Sequence, residues 1–576
     1  MLTKLTIVNF KGFDQVEIDL GNPVVFIGPN NSGKTTALQA LALWSIGLNR
    51  WIEKRKGQAP SKKRPGVTIN RRDLIAVPVP SANLLWRDLH VRNIQKTNGK
   101  QQTQNIRIDM IVEGVSDSKV WQCGLEFDYA NLESFYCRPL RLSEDEDPNR
   151  MPIPEEAANH HVAFLPPMSG LASNETRLDP GAINVRLGEG RTAEVLRNLC
   201  YQILQRDKKQ WERICGQIDE LFGVQLDEPE YIAERGEIEM TFKVRGVRLD
   251  LSSSGRGLQQ TLLLLAHLAV NPGSVLLLDE PDAHLEILRQ RQIYQLLTKS
   301  AREQGSQIIA ASHSEVVLNE AADRDVVVAF LGRPHRIDDR GSQLLKALKE
   351  IGFDQYYQAE QTGWVLYVEG SSDLAVLGAF AEKLRHRAVE VLERPFVHYI
   401  GNAPSRARAH FYGLREAKND LVGFILCDRI DTPLQTTSEL PETRWRRREI
   451  ENYLCQPETL IVYAERYEET SGPLFEAPEI ERRRKAMQDS IEDYAPRAAL
   501  RNRDDAWWID TKMSDEFLDR VFEAYFKKLG LPNLMRKSDY YELARFVPEQ
   551  QLSPEISEVL DAIYQIASKA RPSTRF

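Results

Sequence analysis

The stretch VLLLDEPDAHLE, residues 275–286, carries the strongest structural signal in the chain. Four apolar residues run directly into two adjacent acids, Asp279 and Glu280. A short apolar run of this kind is typical of a strand that is buried on both faces, as in a parallel sheet. Acids at the end of such a strand are costly to desolvate unless they bind an ion or take part in chemistry. The pattern therefore predicts a metal-binding or catalytic pair at the edge of a buried sheet.

A glycine-rich loop, GPNNSGKT at residues 28–35, stands between the apolar run NPVVFI and the helical pattern TALQALALW. It matches G-x-x-x-x-G-K-[ST] in the strand–loop–helix context that this phosphate-binding motif requires. We expect Lys34 to contact the outer phosphates of ATP and the hydroxyl of Thr35 to bind Mg²⁺. The alternative is a chance match on a glycine-rich turn. The other expected nucleotide contacts are Gly28, Asn30, Asn31, Ser32, Gly33 and Thr36.

Three further positions fit a nucleotide-hydrolysing site. Asp279 is the expected magnesium-side carboxylate, and Glu280 is the expected base that activates water. His313 follows the apolar run QIIAAS, where an imidazole could touch the γ-phosphate; an ordinary strand-end histidine is the alternative. SSSGRGLQQ, residues 252–260, offers hydroxyl and N–H groups at the start of an apolar helix, where a simple helix cap is the alternative.

These motifs make residues 1 to about 335 resemble the ATPase heads of the RecF and structural-maintenance-of-chromosomes (SMC) type within the ABC superfamily. The resemblance rests on the opening LTIVNFKGF, the Walker A loop, the signature SSSGRGLQQ, the Walker B segment LLLDEP, the D-loop DAHLE and the switch SHS. It implies a head-to-tail homodimer, with ATP held between the Walker A loop of one chain and the signature of the other. The signature departs from the usual LSGGQ, and the contacts expected from it are Ser254 or Ser253, Gly255 and Gly257.

A second α/β pattern follows the first. WVLYVEGSSDLAVL ends an apolar run in Glu369 and places Asp373 at a helix start. Further along, VGFILCDRID ends another apolar run in Asp428, with Asp431 nearby. The carboxyl ends of adjacent parallel strands lie at one edge of a sheet, so we expect these acids to converge on Mg²⁺ or Mn²⁺, which catalyse phosphodiester cleavage. Taken alone, Asp373 could instead cap its helix, and Asp428 could simply end a strand.

This second pattern resembles a Toprim domain, E-G-x-x-D followed by D-x-D, except that Asp428 and Asp431 are three residues apart instead of two. An ABC-type head followed by a Toprim domain is the arrangement of the OLD (overcoming lysogenization defect) family of ATP-dependent nucleases, which the chain resembles from Met1 to about residue 545. The resemblance implies a metal-dependent endonuclease in antiphage defence that cleaves nucleic acid, with DNA favoured over RNA. It also implies a further acid and a lysine, for which the candidates are Glu451 beside Glu449, and Lys537 with Lys527 and Lys528 as alternatives.

The predicted domain plan has two α/β parts. An ABC-type ATPase domain at residues 1–340, with a helical insertion at about 168–222, is followed by a linker at 341–360, a Toprim domain with helical additions at 361–545 and a C-terminal helix at 546–576. An alternative function is an ATP-driven sensor or clamp whose degenerate Toprim domain docks a partner effector or nucleic acid. The spacing of Asp428 and Asp431 favours that alternative. A transporter ATPase is disfavoured by the RecF-like opening and the fused second domain.

The composition bounds the partners and the compartment. The 576 residues carry a net charge of -8, so contact with nucleic acid would depend on local basic patches. Six cysteines without a CxxC pair, and the lack of a signal peptide or a long apolar stretch, predict a soluble cytoplasmic protein with no membrane partner. The expected partners are nucleic acid, a second copy of the chain, and a defence-system protein or retron nucleic acid. The candidate patches are RWRRR at 444–448, ERRRK at 481–485, RNR at 501–503 and the pair Trp507–Trp508.

Overall fold

The computed structural model divides into two compact units, Met1–Leu345 with Thr574–Phe576, and Lys346–Ser573. The predicted linker at 341–360 spans this division. Its residues 341–350 lie outside the described part of the chain, and Phe353–Thr362 forms a helix of the second unit. The described residues are 1–55, 66–74, 76–97, 100–117, 119–143, 149–321, 324–337, 351–466 and 476–573.

The first unit combines strands and helices throughout its described ranges. Its strands are β1 (Leu2–Phe10), β2 (Phe13–Asp19), β3 (Val24–Ile27), β4 (Val67–Asn70), β5 (Arg92–Thr97), β6 (Lys100–Asn105), β7 (Arg107–Ser116), β8 (Lys119–Asn131), β9 (Ser134–Pro139), β10 (Val162–Leu165), β11 (Gln225–Leu226), β12 (Glu230–Ile232), β13 (Glu237–Glu239), β14 (Thr241–Val244), β15 (Val247–Asp250), β16 (Val275–Asp279), β17 (Gln307–Ser312), β18 (Val326–Ala329) and β19 (His335–Arg336). Its helices are α1 (Lys34–Arg55), α2 (Glu155–Ala158), α3 (Pro180–Gly188), α4 (Leu196–Arg206), α5 (Lys208–Phe222), α6 (Arg256–Val270), α7 (Ile287–Glu303) and α8 (Glu315–Ala321).

The central sheet of the first unit has the strand order β10-β16-β17-β3-β18-β19. All neighbouring strands are parallel except β18 and β19. Strands β3, β16 and β17 are buried along their whole length, which explains the unbroken apolar runs in the sequence. Because β17 lies between β3 and β16, the loops that follow these three strands meet at one edge of the sheet.

Helix α1 packs between this sheet and a six-stranded antiparallel sheet with the order β2-β1-β7-β8-β9-β4. It is apolar on several sides, which is the pattern of a helix enclosed by other elements. Leu38, Leu41 and Trp44 are completely buried there, and each buried side chain of this kind stabilises the fold by about 1.5–3 kcal/mol. Within the described ranges, no helix is both long and apolar enough to cross a membrane.

The antiparallel sheet contains a fully buried acid, Glu126 on β8. Arg138 forms an ion pair with its Oε1, and the Nη1 atoms of Arg141 and Arg150 each lie 3.1 Å from one of its carboxylate oxygens. Burial alone would raise the pKa of Glu126, but the hydrogen bond and charge of Arg138, together with the other two arginines, lower the pKa to about 2. The protein therefore neutralises this acid with its own side chains.

The predicted insertion at about 168–222 contains helices α3, α4 and α5. Helices α4 and α5 contact each other and α6, and together they contribute Leu199, Ile214 and Leu262 to one buried cluster. Two small antiparallel sheets, β11-β14-β15 and β12-β13, follow the insertion along the chain. This arrangement places the insertion against α6, the helix that begins within the predicted signature.

The second unit contains fewer strands and many helices. Its strands are β20 (Trp364–Val368), β21 (Val397–Tyr399), β22 (Val422–Cys427) and β23 (Glu442–Arg444). Its helices are α9 (Phe353–Thr362), α10 (Ser371–Lys383), α11 (Ala388–Leu392), α12 (Pro404–Ala417), α13 (Pro457–Glu465), α14 (Glu476–Tyr494), α15 (Arg497–Arg501), α16 (Ala506–Asp510), α17 (Asp519–Leu529) and α18 (Pro554–Ala567). A π-helical turn, Ser514–Leu518, precedes α17, and 3₁₀ helices include Ile450–Tyr453 and Lys537–Phe546.

The four strands of the second unit form one all-parallel sheet in the order β21-β20-β22-β23. Strand β20 is buried at every position, and helices α10, α17 and α18 share the same apolar core. The predicted mixed α/β fold, with a parallel sheet and a helical C-terminal region, is therefore confirmed. The helix predicted at 546–576 is shorter than expected, since α18 runs from Pro554 to Ala567.

Candidate functional sites

The glycine-rich loop after β3 has a backbone that only glycine adopts easily at two positions. Gly28 has φ +155° and Gly33 has φ +98°. A Cβ atom on Gly28 would lie 2.9 Å from the carbonyl oxygen of Phe330, and one on Gly33 would lie 2.8 Å from the ring of Phe13. Side chains at these positions would therefore be both strained and in collision. The loop brings its backbone close to the start of α1, as a phosphate-binding loop must.

Lys34 and Thr35 connect this loop to the acids of β16. The Lys34 ammonium donates to the carbonyls of Gly28 and Pro29, both at 2.7 Å, and its burial lowers its pKa. The Thr35 hydroxyl donates to Asp279 Oδ1 at 3.0 Å. A hydroxyl and a carboxylate in contact at this point fit the two protein ligands expected for a nucleotide-bound Mg²⁺. The hydroxyl of Ser32 is buried and has no hydrogen-bond partner in the described part of the chain, whereas Asn30 and Asn31 are exposed and Thr36 is half-buried.

The two acids at the end of β16 differ in their surroundings. Asp279 is 5% exposed, and its burial raises its pKa to about 6. Glu280 has φ +50°, a left-handed conformation that costs a glutamate about 1–3 kcal/mol and is concentrated at functional sites. Its N–H donates to Ala311 on β17, and its Oε1 lies 3.8 Å from Nδ1 of His313. The expected base and the expected switch histidine therefore lie side by side at the ends of adjacent strands.

The predicted signature forms a capped turn that leads into α6. The Ser253 hydroxyl donates to the carbonyl of Asp250 at 2.6 Å, and the Ser254 hydroxyl donates to that of Leu251 at 2.7 Å. Gly255 immediately precedes α6, and Gly257 lies in its first turn. Both hydroxyls keep their acceptor lone pairs, and the turn presents N–H groups at a helix start, which is the chemistry that a phosphate needs.

Arg197, on α4, was not among the predicted residues. It is 1% exposed; its guanidinium donates to Asp250 Oδ1 at 2.9 Å and to the carbonyl of Ser173 at 2.8 Å. The same Asp250 oxygen accepts from the Ser252 N–H at 2.8 Å and so caps the signature turn. The helical insertion is therefore hydrogen-bonded to the signature, a link that depends on tertiary contacts and leaves no motif in the sequence.

In the second unit, Glu369, Asp373 and Asp428 come together. Glu369 follows β20, Asp428 follows the adjacent β22, and Asp373 lies in the first turn of α10. One carboxylate oxygen from each of the three lies within 4.8 Å of the others. The convergence results from the parallel arrangement of the strands, whose carboxyl ends share one edge of the sheet. Asp431 is exposed and does not join this group among the described residues.

Asn402, which sequence reasoning did not identify, joins two of these acids. It follows β21 and has φ +58°, a conformation that asparagine tolerates better than most residues. Its amide nitrogen donates to Glu369 Oε2 at 2.5 Å and to Asp428 Oδ2 at 3.2 Å, and its oxygen accepts from the Asp428 N–H at 3.0 Å. A lone asparagine after a short strand carries no recognisable signal, so only the fold reveals this contact.

The electrostatics of the acid group favour a bound cation. Burial, followed by the hydrogen bond to Glu369 and its charge, raises the pKa of Asp428 to about 9. Burial likewise raises the pKa of Asp373 to about 6. Asp428 Oδ1 is buried and has no hydrogen-bond partner in the described ranges. An all-oxygen donor set with an orphaned carboxylate oxygen fits Mg²⁺ or Mn²⁺.

Two further buried acids, Glu449 and Glu451, interact electrostatically with Asp373. Burial, followed by the charge of Glu449, raises the pKa of Glu451 to about 8. Glu449 Oε1 accepts from the Ser514 N–H at 2.5 Å, at the start of the π-helical turn, and burial also raises the pKa of Glu449. The charge of Glu449 acts on Asp373. The charges of Glu449 and Glu451 therefore influence the acid group that contains Asp373. Glu449 is in addition fixed by its hydrogen bond from the Ser514 N–H.

Lys537 is one of two lysines that share a single acid near this region. Its ammonium lies 2.7 Å from Asp515 Oδ1, and that of Lys512 lies 2.6 Å from Asp515 Oδ2. Burial alone would lower the pKa of Lys537, but the hydrogen bond and charge of Asp515 raise it, and Glu449 adds to this effect. The alternatives are placed elsewhere: Lys528 pairs with Asp493, and Lys527 is exposed. Lys512 was not predicted.

Several side chains of the candidate basic patches are buried or ion-paired, so the patches offer fewer contacts to nucleic acid than the sequence suggests. Trp445, the aromatic residue of the first patch, is 1% exposed and packs on Tyr453 at 5.1 Å, so it belongs to the core. Trp508 is also 1% exposed; it meets Trp507 edge-on at 4.8 Å, and both rings pack against Phe517. Several arginines of the patches are ion-paired, namely Arg446 with Glu558, Arg482 and Arg483 with Glu479, Arg484 with Glu465, and Arg503 with Glu458.

Comparisons with known proteins bear on the first unit. Residues 1–49 match a family model described as "AAA ATPase domain", and residues 130–319 match one described as "AAA domain, putative AbiEii toxin, Type IV TA system". No curated protein matches the chain.

Solved structures similar to the chain include SMC heads. One is the SMC head domain from Thermotoga maritima (15% identity, TM-score 0.30, covering 58% of this chain and 98% of that one). A second is an Smc head bound to the C-winged helix domain of ScpA (15%, 0.33, 58% and 97%). A third is an Smc head with an extended coiled coil, bound to the C-terminal domain of ScpA derived from Pyrococcus furiosus (14%, 0.33, 61% and 99%). Together with the loop geometry, the two family models show that the first unit contains an AAA-type ATPase domain.

Proposed function

We propose that the protein is an ATP-hydrolysing, divalent-metal-dependent endonuclease of the OLD type, with a Toprim-type nuclease site in the second unit. The observation that carries this proposal is the convergence of Glu369, Asp373 and Asp428 within 4.8 Å at the carboxyl edge of an all-parallel sheet. Three acids gathered in a partly buried place repel one another unless a cation is present. None of the three is ion-paired with a lysine or arginine in the described part of the chain; the nearby Lys512, whose pKa is raised mainly by its hydrogen bond to Asp515, also interacts with the charge of Glu369.

In the proposed nuclease site, Glu369, Asp373 and Asp428 would hold Mg²⁺ or Mn²⁺. When bound, such a metal supplies Lewis-acid activation of a phosphodiester and a more acidic water. Glu451 adds negative charge behind this group, and Lys537 would neutralise charge on the phosphate. The proposed role of Asp431 is the weakest of the predicted set, because the residue is exposed and lies outside the cluster.

In the proposed ATPase cycle, Lys34 would bind the outer phosphates, and Thr35 and Asp279 would hold Mg²⁺. Glu280 orients and deprotonates the attacking water, and the adjacent His313 contacts the γ-phosphate. The signature turn at Ser254, Gly255 and Gly257 would complete the site of a second copy, so the working form is a homodimer. The contacts of Thr35 with Asp279 and of Glu280 with His313 support these assignments.

The proposed substrate is nucleic acid, with DNA favoured over RNA, and the proposed setting is antiphage defence. Both come from the resemblance to OLD nucleases. The word toxin in the description of one matched family is consistent with a defence role. A defence-system protein or a retron nucleic acid is the proposed partner.

The test is cleavage of plasmid DNA and total RNA by the purified full-length protein, with Mg²⁺ or Mn²⁺ and with or without ATP. We expect metal-dependent cleavage that disappears in Glu369→Ala while ATP hydrolysis persists. Glu280→Gln should abolish ATP hydrolysis and reveal whether ATP promotes or restrains cleavage. Asp504→Ala is the matched control, since it removes an exposed acid of the second unit that lies outside the acid group.

A second candidate function is an ATPase sensor whose second unit docks a partner. The exposed position of Asp431, outside the acid group, favours it. Under this function, Glu369→Ala would leave activity in cells unchanged. Intact ATP hydrolysis without cleavage of either nucleic acid, at any metal concentration, would replace the nuclease proposal with this one.

A further inference from the structure

The amide of Asn402 occupies one oxygen on each of two acids in the proposed metal site. Its nitrogen donates to Glu369 Oε2 and to Asp428 Oδ2, at 2.5 and 3.2 Å. The orientation of this amide is fixed, because its oxygen accepts from the Asp428 N–H at 3.0 Å and the nitrogen must then face the carboxylates. Both N–H groups of the amide are therefore hydrogen-bonded to carboxylates, one to Glu369 and one to Asp428.

The third acid is held in the same way by backbone. Asp373 Oδ2 accepts from the Gly370 N–H at 2.9 Å, so one of its oxygens is also occupied. Each of the three acids thus has one oxygen committed to a protein donor. The remaining oxygens are Glu369 Oε1, Asp373 Oδ1 and Asp428 Oδ1, and the last is buried without a hydrogen-bond partner in the described ranges.

Three carboxylates that each offer one oxygen are a selective donor set. Mg²⁺ requires a near-ideal octahedron and is commonly bound by single carboxylate oxygens, with water or phosphate in the other positions. Ca²⁺ accepts six to eight ligands in a flexible shell and often binds both oxygens of a carboxylate. The hydrogen bonds from Asn402 compete with a metal for that second oxygen on Glu369 and Asp428, and so disfavour a metal that binds both oxygens of one carboxylate.

We propose that Asn402 is a positioning residue that selects Mg²⁺ or Mn²⁺ over Ca²⁺, by restricting Glu369 and Asp428 to one metal-binding oxygen each. The inference rests on the proposed nuclease site. It goes beyond that site because it names the residue that sets the metal preference, and this residue does not itself touch the metal.

The left-handed backbone of Asn402 allows its side chain to be removed without disturbing the loop. Because φ is +58°, glycine fits the same backbone without strain, so Asn402→Gly removes the amide and keeps the loop. Asn402→Asp keeps the shape and the bond from the Asp428 N–H but removes both donors. The matched control is Asn9→Gly in the first unit, which also has a left-handed asparagine, at φ +56°, whose amide donates to a carbonyl.

The experiment measures metal binding, not activity. Nucleotide-free full-length protein is titrated with Mn²⁺, free Mn²⁺ is followed by electron paramagnetic resonance, and Ca²⁺ is then added as competitor. Binding that is lost in Glu369→Gln is assigned to the second unit. Residues that orient metal ligands typically change affinity about 10–100-fold, so we expect the preference for Mn²⁺ over Ca²⁺ to fall about tenfold in both Asn402 variants and to stay unchanged in Asn9→Gly.

Two failures can be told apart. If wild-type protein binds Mn²⁺ but the preference over Ca²⁺ is the same in both Asn402 variants, the role of Asn402 is wrong and the metal site stands. If no Mn²⁺ binding depends on Glu369, the proposed nuclease site itself is wrong. Thermal melts of each variant confirm that the second unit is folded in the samples compared.

Discussion

Buried acids occur in both units of this protein, and their surroundings are opposite. Glu126, in the antiparallel sheet of the first unit, is surrounded by Arg138, Arg141 and Arg150. In the described part of the chain, the acid group of the second unit, Glu369, Asp373 and Asp428, is not ion-paired with a lysine or arginine, and the Asn402 amide and one backbone N–H donate to it. The pKa values move accordingly, to about 2 for Glu126 and to about 9 for Asp428.

The comparison separates structural acids from acids that are held ready for a ligand. A buried carboxylate is tolerated when a nearby cation balances its charge or when it stays protonated, and arginines provide that balance for Glu126. In the second unit the pKa of Asp428 is raised instead, so a proton neutralises this acid in the metal-free protein. The acid group lies at the edge of a sheet where ligands of α/β proteins bind, and we interpret a metal as the ligand that would displace this proton.

The largest expected effect is on cleavage. Asp428→Asn keeps the size of the side chain but removes one of the three charges that would hold the metal, so we expect metal-dependent cleavage to fall about a thousandfold, which corresponds to about 4 kcal/mol. Plasmid nicking over time measures it. ATP hydrolysis should be unchanged, and cleavage within tenfold of wild type would contradict the proposed role of the acid group.

The next effect is on stability, in the other unit. Glu126→Gln removes the buried carboxylate that three arginines share and leaves Arg138 with Asp128 and Arg141 with Asp109. Breaking a buried ion network in this way costs about 3–5 kcal/mol. Thermal unfolding should show the transition of the first unit moved to lower temperature. A melting profile that matches wild type would mean that water or neighbouring acids balance the charge of the arginines. Glu126 would then not be an acid that the fold requires, and the contrast with the acid group of the second unit would fail.

Added metal should stabilise the unit that contains the acid group and not the unit that contains Glu126. At a Mg²⁺ concentration a hundred times its dissociation constant, binding to the folded state alone stabilises by about 2.7 kcal/mol. We expect Mg²⁺ to raise the unfolding temperature of the second unit in wild type and in Glu126→Gln, and to have no such effect in Glu369→Gln. Calorimetry without nucleotide measures the shift, and an equal shift in Glu369→Gln would place the metal elsewhere.

The smallest effect is the pH dependence of the metal-free protein, which should have opposite signs at the two sites. The pKa of Glu126 falls from 4.5 to about 2, so its contribution is present above pH 4.5 and lost as the pH falls through 2. The pKa of Asp428 rises from 3.8 to about 9, so its contribution is present below pH 4 and lost as the pH rises through 9.

These signs can be measured with the same two variants. Asp428→Asn should be more stable than wild type at pH 8, where the unfolded aspartate is ionised and the folded one must take up a proton or carry a buried charge. The two proteins should be nearly equal at pH 4, because protonated aspartic acid and asparagine are both neutral. Glu126→Gln should approach wild type only as the pH falls towards 2. Unfolding in denaturant across pH 2–9 gives both differences, and a flat difference for Asp428→Asn would show that the acid is ionised without metal.

The sequence was sufficient where a function depends on contiguous residues. The loop around Lys34, the acids at the end of β16 and the pattern from Glu369 to Asp373 were all recognisable, because strand ends and helix starts impose short fixed spacings. The parallel sheet of the second unit followed from its alternating strands and helices. From that alone, the convergence of Glu369 and Asp428 could be expected.

Contacts between distant segments could not be predicted in the same way. Asn402 reaches Glu369 and Asp428 from a separate strand, and Arg197 reaches the signature turn from the helical insertion. Neither contact follows from a fixed spacing of residues in the sequence. For Asp431 and Trp445, the position in the chain suggested a metal ligand and a nucleic-acid contact. In the structure, Asp431 is exposed and lies outside the acid group among the described residues, and the indole of Trp445 is buried in the core of the second unit.

The edge-on pair of Trp507 and Trp508 has a practical consequence. Their rings lie 4.8 Å apart and pack on Phe517, in the π-helical turn whose first N–H is bonded to Glu449. Two indoles this close and so firmly packed behave as one asymmetric chromophore, and near-ultraviolet circular dichroism is sensitive to such fixed packing. Small movements of that turn therefore have a built-in optical reporter, which needs no dye and no cysteine labelling.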